Sequence, residues 1–358
     1  MTLGDAEIVI DGLAARRGGG AAYITTQIAT RLAFASGVRR VILVTRSGSL
    51  VARNVTESDR LRLIEVRGHE IADLPVRVLW ELVQLPRVMR GRQALLTLSG
   101  ILPRHFDVRV VSFLANPVPF EEQGWANTLR RLAIRRTSRR ASAVLVPTVA
   151  MSRLVSGVIG RNASVVPLGV DRAVFSPGDG DGRGVLYVAD FYQHKRHDLL
   201  IDAWAQLGAP RPPLTLIGDP LVDSNHAARI GELIEASRCL GEITVLSHVS
   251  VDRLVHEYRS AAVVVIPSVH ESFCLPLIEA QACGIPVIAR GLRTLREVGG
   301  VGATYVDSDD PLAWTAAISD VLGDRDSRTS HSAAGLVNSA SYTWERTVSA
   351  LRDRLVDD

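Results

Sequence analysis

Lysine is almost missing from this 358-residue chain: Lys195 is its single lysine, against 40 arginines. Cysteine is scarce as well, and Cys239, Cys274 and Cys283 form an odd set without the spacing of metal ligands. The set indicates reduced thiols, and we expect Cys239 and Cys283 to be small buried apolar side chains. No apolar run approaches the roughly 18 residues of a membrane span. The N-terminal residues are acidic where those of a signal peptide are basic. The composition therefore predicts a cytoplasmic globular protein.

Several common catalytic motifs are missing too. The chain has no Walker loop, no serine-hydrolase elbow and no Gly-x-Gly-x-x-Gly dinucleotide fingerprint. His194 and His197 lie near acidic residues, but not at the spacing of metal ligands, and we expect both to be exposed loop residues. The remaining acid pairs fall in a linker and in a late turn: Asp179 with Asp181, and Asp307 with Asp309. We therefore predict neither a metal site nor a cofactor.

Charge is distributed unevenly along the chain. Residues 1–170 hold 24 arginines and 12 acidic residues, whereas residues 171–358 hold 17 basic and 26 acidic ones. Six arginines cluster in one predicted helix: Arg130, Arg131, Arg135, Arg136, Arg139 and Arg140. Two interpretations of this cluster stay open, namely peripheral contact with an anionic membrane and a solvated helix face. Nucleic acid is the least favoured partner, because no recognition motif accompanies the charge.

Short β-branched runs alternate with helical patterns throughout the chain, which predicts βα units and parallel sheets. The breaker-rich segment 176–184 separates two such series and is the predicted linker. We expect residues 1–175 and 176–342 each to form a Rossmann-like domain, followed by an amphipathic helix within residues 343–358. The predicted strands are 8–11, 41–45, 61–66, 108–113 and 143–147 in the first domain, and 185–189, 214–218, 243–247, 262–267 and 287–289 in the second.

Glu271 and Glu279 flank the most informative segment, in which an apolar strand passes through a loop into a helix. Pro276 suits the first turn of that helix. The N–H groups at a helix start are unpaired and carry the positive end of the helix dipole, so they suit a phosphate. Carboxylates beside them can accept hydrogen bonds from sugar hydroxyls. The segment therefore predicts a sugar-nucleotide site.

Two further loops have features of an anion site. Gly18, Gly19 and Gly20 follow the first predicted strand, and their backbone can approach a phosphate closely, although a flexible turn explains them nearly as well. Lys195, followed by Arg196, lies at the carboxyl end of a strand, where ligands bind in open parallel sheets. A compact ammonium group at that place suits a diphosphate.

Together these segments resemble the retaining GT-B glycosyltransferases of family 4, most densely between residues 246 and 307. The resemblance implies two Rossmann-like domains that face an interdomain cleft, an acceptor domain first and a nucleotide-sugar donor domain second. The last helix would cross back to the first domain. The implied reaction moves a hexosyl unit from a UDP- or GDP-linked sugar to an acceptor hydroxyl, with its anomeric configuration kept and without a metal.

The resemblance also implies roles for single residues. Lys195 would contact the donor diphosphate, Glu271 would bind the transferred sugar, and Glu279 would bind the ribose. The glycine loop would close over the phosphates or the acceptor. Further donor contacts are expected from Arg196, Gly218, Ser272, Phe273, Cys274 and Leu275.

The chain departs from the family pattern at two positions. Asp190 stands where the family usually has an arginine, so either one phosphate cation is missing or Arg196 replaces it. Asn116 stands where the first domain often carries a histidine near the transferred sugar. The acceptor stays open between a cell-envelope glycan or lipid-linked saccharide, a small thiol and a natural-product scaffold. A sugar-nucleotide epimerase of the same fold and a non-catalytic subunit that binds lipid or a partner enzyme are the alternatives.

Overall fold

The computed structural model of the chain describes residues 6–15, 19–67, 74–102, 106–180, 182–237 and 241–356, without the side chains of residues 74–76. The chain divides into two compact units. The first unit comprises Met1–Gly169 together with Trp344–Asp358, and the second comprises Val170–Thr343.

The first unit is built on a seven-stranded parallel sheet of order β3-β2-β1-β4-β5-β6-β7. The central strands β1, β4 and β5 are mainly apolar and buried along nearly their whole length, as expected for parallel strands covered on both faces. The strands are β1 Ala6–Asp11, β2 Val38–Arg46, β3 Leu61–Val66, β4 Ala94–Thr97, β5 Arg109–Phe113, β6 Ala143–Val146 and β7 Ser164–Val165. The helices are α1 Gly20–Leu32, α2 Leu50–Asn54, α3 Leu74–Val83, α4 Leu85–Val88, α5 Val118–Glu121, α6 Trp125–Ser138, α7 Val149–Ile159 and, from the end of the chain, α15 Trp344–Val356.

The second unit contains a six-stranded parallel sheet of order β10-β9-β8-β11-β12-β13. Its strands are β8 Val185–Val188, β9 Leu214–Ile217, β10 Ile243–Leu246, β11 Val263–Ile266, β12 Val287–Arg290 and β13 Ala303–Val306. The helices are α8 His197–Ala205, α9 Ser224–Ser237, α10 Val251–Ser260, α11 Leu275–Ala282, α12 Arg293–Gly299, α13 Pro311–Gly323 and α14 Arg325–Ser339. Short 3-10 helices cover Gln193–Lys195, Pro220–Val222 and Gly300–Gly302.

Strand order reverses once in each sheet, and this reversal marks where a ligand can enter. In the first sheet the chain leaves β1 toward β2 and β3 and then returns to the other side of β1 as β4. In the second sheet it leaves β8 toward β9 and β10 and returns beside β8 as β11. Loops at such a switch point separate above the carboxyl ends of the strands and leave a crevice. The crevice of the second sheet therefore lies between the loops that follow β8 and β11.

The predicted fold class of two Rossmann-like parallel-sheet domains is confirmed, and each predicted strand is found. The sequence analysis missed three strands, β4, β7 and β13. The strand β4 is a four-residue apolar run that is buried on both faces, and periodicity alone cannot separate such a run from a helix segment. The strand β7 has only two residues.

The breaker-rich segment 176–184 packs against α10 of the second unit. The Arg259 guanidinium donates to the carbonyl and the hydroxyl of Ser176, and the Arg183 amide donates to the Ser260 carbonyl. A Cβ at Gly180 would lie 1.8 Å from the Arg259 carbonyl oxygen, so the backbone contact requires glycine there. These contacts attach the predicted linker to the second unit, and the chain divides six residues earlier, between Gly169 and Val170.

The last helix completes the core of the first unit. The predicted amphipathic pattern of α15 is confirmed, because Trp344, Val348, Leu351 and Leu355 are all buried. The Trp344 ring meets the edge of Tyr23 on α1, with ring centroids 6.1 Å apart. Among the helices that the structure describes, none combines the length and the apolar character needed to cross a bilayer.

Candidate functional site

Lys195 and Glu271 meet above the switch point of the second sheet. Lys195 ends the 3-10 helix after β8, and Glu271 lies in the loop after β11, the neighbouring strand. Lys195 Nζ donates to Glu271 Oε1 over 2.7 Å, and the two side chains are only 19% and 10% exposed. Burial is the largest single influence and would lower the pKa of Lys195, but the neighbouring acidic groups, Glu271 foremost, together outweigh burial and raise that pKa. Lys195 is therefore a fixed ammonium group with N–H bonds left for an anion.

A buried pair of hydroxyl groups fixes this ion pair to the sheet. The Tyr187 hydroxyl on β8 donates to the Lys195 carbonyl over 2.8 Å and lies 2.9 Å from the Ser268 hydroxyl after β11. Burial raises the pKa of Tyr187 well above its ordinary value, so the hydroxyl stays a donor. The Val269 amide also donates to the His194 carbonyl. These bonds join the two loops that carry the lysine and the glutamate.

The start of α11 presents unpaired backbone donors. Among the described residues, none accepts a hydrogen bond from the amides of Phe273, Cys274 and Leu275. Cys274 precedes the helix with a φ of 74°, a left-handed conformation that is uncommon for a residue other than glycine. Burial raises the pKa of its thiol well above the usual value, so Cys274 is no nucleophile. The segment instead suits binding of an anion through its backbone.

Glu279 lies one turn further along α11 and is 6% exposed. Its Oε2 accepts a hydrogen bond from the Tyr258 hydroxyl of α10 over 2.9 Å. Burial raises the pKa of Glu279 to about 7, although the Tyr258 bond lowers it. This carboxyl group therefore changes its charge near neutral pH.

The sequence analysis left open whether Arg196 supplies the phosphate cation that Asp190 cannot. Both side chains have partners within the second unit. The Arg196 guanidinium binds Asp198 at 3.1 Å and Asp309 at 2.9 Å, so two carboxylates already offset its charge. Asp190 Oδ1 accepts from the Asp219 amide over 3.0 Å, and burial raises its pKa. Asp190 thus anchors the turn at Gly218, where a Cβ would lie 2.0 Å from the Ala189 carbonyl oxygen.

The expectation that His197 is an exposed loop residue is wrong. His197 opens α8 with no exposed surface and stacks on Phe191 with ring centroids 4.3 Å apart. Burial lowers the pKa of His197 to about 3, so the ring is neutral. His194 is partly buried. Within the described part of the chain, no group of three His, Cys, Asp or Glu side chains could hold a metal ion.

The other predicted residues belong to the first unit. Gly19 precedes α1 with a φ of 82°, and a side chain at Gly20 would meet open space. Gly18 lies outside the described residues. Asn116 is exposed, and its Oδ1 accepts from the Val118 amide over 3.1 Å, which caps the turn into α5.

The sequence analysis missed a buried acidic site in the first unit. Asp11 ends β1, and Arg77 donates to Glu81 over 2.7 Å within α3. Asp11 Oδ2, Glu81 Oε2 and the Ser112 hydroxyl are buried without a hydrogen-bond partner among the described residues. Burial, together with the nearby Asp11 charge, raises the pKa of Glu81 to about 8. An acidic residue that ends an apolar strand was the available signal, but only the fold brings Glu81 near it.

Comparison with known proteins finds a family match within the second unit. Residues 175–336 match the family model described as glycosyl transferases group 1. Similar solved structures include sucrose-phosphate synthase from Thermosynechococcus elongatus, with a TM-score of 0.80 at 20% identity over 97% of both chains. They also include Anabaena HepE in complex with UDP-glucose, with a TM-score of 0.80 at 16% identity over 97% of this chain and 98% of that one. Both solved structures share the two-domain GT-B fold of this chain. At these identities the structural likeness establishes the fold alone.

Curated relatives share part of the sequence. The D-inositol 3-phosphate glycosyltransferase of Geodermatophilus obscurus is 35% identical over 215 residues, which are 54% of this chain and 47% of that protein. The protein of the same name from Mycolicibacterium vanbaalenii is 34% identical over 210 residues, 52% of this chain and 46% of that protein. The chain spans about half the length of the curated relatives that it matches.

Proposed function

We propose that this protein is a retaining, metal-independent glycosyltransferase of family 4 that moves a hexosyl unit from a UDP- or GDP-linked sugar to an acceptor hydroxyl. The observation that carries the proposal is the Lys195–Glu271 pair beside the unpaired amides of Phe273, Cys274 and Leu275. A fixed cation and a helix start face one crevice at the switch point of the sheet, and the buried Glu279 carboxyl group lies one turn along that helix. This combination suits a sugar diphosphate.

The leaving group explains the need for fixed positive charge. When the bond between the sugar and the diphosphate breaks, negative charge grows on the phosphate oxygens while the sugar becomes oxocarbenium-like. Lys195 and the start of α11 would stabilise that charge without reorganisation, which is usually a leading contribution to catalysis. Because the lysine and the helix dipole already supply positive charge, the proposed reaction requires no metal ion.

The carboxyl groups of Glu271 and Glu279 would bind the two sugars of the donor, the transferred hexose and the ribose. Glu271 would accept hydrogen bonds from hydroxyls of the transferred hexose while its other oxygen holds Lys195. Glu279 would accept from the ribose. The donor phosphate oxygen would take the acceptor proton as the new bond forms on the same face of the hexose, which keeps the configuration. Gly18, Gly19, Gly20, Arg196, Gly218 and Ser272 remain proposed donor contacts, and Asn116 a proposed contact on the sugar side.

The proposed domain roles follow the resemblance: the first unit binds the acceptor and the second binds the donor. For the acceptor we propose a glycan, lipid-linked or small-molecule hydroxyl in cell-envelope or natural-product biosynthesis. The name of the curated relatives adds a polyol phosphate, D-inositol 3-phosphate, as an acceptor to test. The proposed location is the cytoplasm, with the protein at the inner face of the plasma membrane during transfer.

A donor panel tests the activity. The protein is incubated with UDP-, GDP- and ADP-sugars in the presence of EDTA, with and without D-inositol 3-phosphate, and products are separated by chromatography. Slow release of nucleoside diphosphate supports a transferase that uses water in place of the acceptor. Isomerised donor would identify an epimerase. Absence of binding to every donor would identify a non-catalytic subunit.

Substitution of the ion pair tests the site. Lys195→Ala and Glu271→Ala should each lower turnover by about two orders of magnitude or more, as is usual for the loss of a charge that stabilises the transition state. Lys195→Arg should recover part of the loss, because it keeps the charge with a different shape. Arg325→Ala, at the exposed start of α14, is the control and should leave turnover unchanged. Turnover of Lys195→Ala equal to that of the wild type would exclude the phosphate role.

A further inference from the structure

The helix α6 exposes an apolar stripe on the side that faces solvent. Trp125 is 79% exposed, and Leu129 and Leu132 are each 56% exposed. Together with Arg136, these residues follow the spacing i, i+4, i+7, i+11, so they lie on one face of the helix. Ile134, on the opposite face, is buried. The stripe is therefore not the core-facing side of the helix.

Unpaired positive charge surrounds the stripe. No hydrogen-bond or ion-pair partner is found among the described residues for the guanidinium groups of the exposed Arg135, Arg136, Arg139 and Arg140. The 48 residues from 123 to 170 contain eight arginines and no acidic residue. The remaining helix arginines have local partners: Arg130 donates to Asn127, and Arg131 donates to carbonyls of residues 119 and 122. Four arginines are thus left without an internal role.

We propose that this face of α6, Trp125, Leu129, Leu132 and Arg136 with the neighbouring Arg135, Arg139 and Arg140, docks the protein onto a bilayer surface that contains anionic lipid. An interfacial helix needs an apolar side, a ring that suits the headgroup region and basic side chains beside them. The face of α6 has all three. The dense positive charge favours anionic lipid over a neutral bilayer or a basic protein partner.

Another helix of the same unit has an apolar surface without the free charge. The helix α3 exposes Leu79, Leu82 and Val83. Arg77 within α3 donates to Glu81, and Arg87 beyond its end donates to the Val83 carbonyl and to Gln84. Because both arginines are already bonded, the charge argument applies to α6 and not to α3.

Trp125 itself can report the docking. Of the five tryptophans, Trp204, Trp314 and Trp344 are fully buried and Trp80 is partly buried, so Trp125 is the strongly exposed one. The full-length protein is mixed with vesicles of 30% phosphatidylglycerol in phosphatidylcholine, and with vesicles of phosphatidylcholine alone. With the anionic vesicles we expect co-sedimentation, a blue shift of the emission and quenching by brominated lipid. Binding should weaken strongly at 0.5 M NaCl, because salt screens exposed charge.

Two double variants separate the contribution of charge to membrane binding from that of the apolar side chains. Arg136→Gln with Arg139→Gln should weaken binding about fivefold for each arginine removed. Trp125→Ser with Leu132→Ser keeps the charge and should abolish the blue shift and the quenching. The matched controls in the second unit are Leu312→Ser with Val337→Ser, which removes two exposed apolar side chains, and Arg293→Gln with Arg325→Gln. Both controls should bind as the wild type does, and all four variants should hydrolyse donor at the wild-type rate.

Three results would overturn the proposal. The first is absence of binding to anionic vesicles at low salt. The second is binding that both α6 variants leave unchanged, which would place the contact elsewhere. The third is a dimer whose formation shifts the Trp125 emission without lipid, which would assign the face to a second copy of the chain.

Discussion

At the scale of single residues, the main observation is that one lysine persists in a chain with 40 arginines and that it forms a buried ion pair. Lys195 and Glu271 are 76 positions apart, yet their charged atoms lie 2.7 Å apart. The structure also gives Asp190 a role that the sequence analysis did not foresee. It accepts a hydrogen bond from the Asp219 amide, so the departure from the family pattern coincides with a partly buried turn contact.

Glu279 predicts a pH dependence of nucleotide affinity. Because burial raises its pKa to about 7, UDP affinity should rise from pH 6 to pH 8 as the carboxylate forms and becomes a better acceptor for ribose hydroxyls. Tyr258→Phe removes the hydrogen bond that lowers this pKa, so the midpoint should move to higher pH. Isothermal titration with UDP across this range is the measurement, with Tyr23→Phe as the control. An affinity without pH dependence would contradict the role of Glu279.

Glu81 predicts a pH dependence of stability. Its pKa of about 8 in the folded protein lies above the ordinary value of 4.5, so the folded state retains a proton that the unfolded state has lost. The contribution of Glu81 to stability is therefore complete below about pH 4.5 and is lost as the pH rises through about 8. Glu81→Gln carries no such charge, so its free energy of unfolding relative to the wild type should increase from pH 5 to pH 8.5.

Urea denaturation at three pH values measures this difference. The exposed Glu65 on β3 offers the control Glu65→Gln, which should not reproduce the trend. A Glu81→Gln curve that runs parallel to the wild-type curve at every pH would mean that Glu81 is ionised in the folded protein.

At the scale of secondary-structure elements, the carboxyl end of the second sheet is shaped by one tight turn. Gly218 follows β9 and packs against the backbone that follows β8, where a Cβ would meet the Ala189 carbonyl oxygen at 2.0 Å. Both strands end at this place, so the turn sets the distance between the loops that follow them. The course of the loop after β8, one wall of the proposed donor crevice, therefore depends on a position without a side chain.

Gly218→Ala should destabilise the protein by about 3 kcal/mol or more, because backbone atoms cannot move aside as side chains do. Gly231→Ala in α9 is the matched control, since a Cβ there meets nothing within 4 Å. It should stabilise the protein by about 0.5–1 kcal/mol, the usual gain for alanine over glycine inside a helix. Thermal and urea denaturation of both variants measure the two effects, and a neutral Gly218→Ala would contradict the packing of the turn.

At the scale of the whole molecule, the first unit is assembled from the two ends of the chain. The helix α15 packs against α1, and the Thr347 hydroxyl donates to the Pro167 carbonyl over 2.7 Å. The proposed donor residues Lys195, Glu271 and Glu279 all belong to the second unit. Stability of the first unit and the proposed nucleotide binding by the second are therefore separable measurements.

Leu351→Ala tests this separation. Leu351 is fully buried on α15, and its truncation should cost about 2–5 kcal/mol of stability through the cavity that it leaves. The affinity for UDP, measured by titration under conditions where the variant is folded, should not change. Leu355→Ala on the same helix should act in the same direction, whereas Arg354→Ala, in the exposed last turn, should be nearly neutral. A loss of UDP affinity in Leu351→Ala would show that α15 supports the donor site.

Much of the fold could be predicted because buried parallel strands have a local sequence pattern, a short apolar run between two helical patterns. The order of βα units and the strand-loop-helix course from Glu271 to Glu279 are of this kind. The missed strands β4 and β13 are four-residue runs without a diagnostic period, and His197 was misjudged because burial depends on neighbours such as Phe191 rather than on adjacent residues in the chain.

The sequence by itself determined that this protein consists of two series of parallel βα units and that an acid pair brackets a helix start suited to phosphate. Those features depend on interactions within a few residues. Only the tertiary structure decided that Lys195 pairs with Glu271, that Tyr258 holds Glu279, and that Asp11 and Glu81 share a buried site. Each of these contacts depends on which elements become neighbours, and that order is set by packing between segments far apart in the chain.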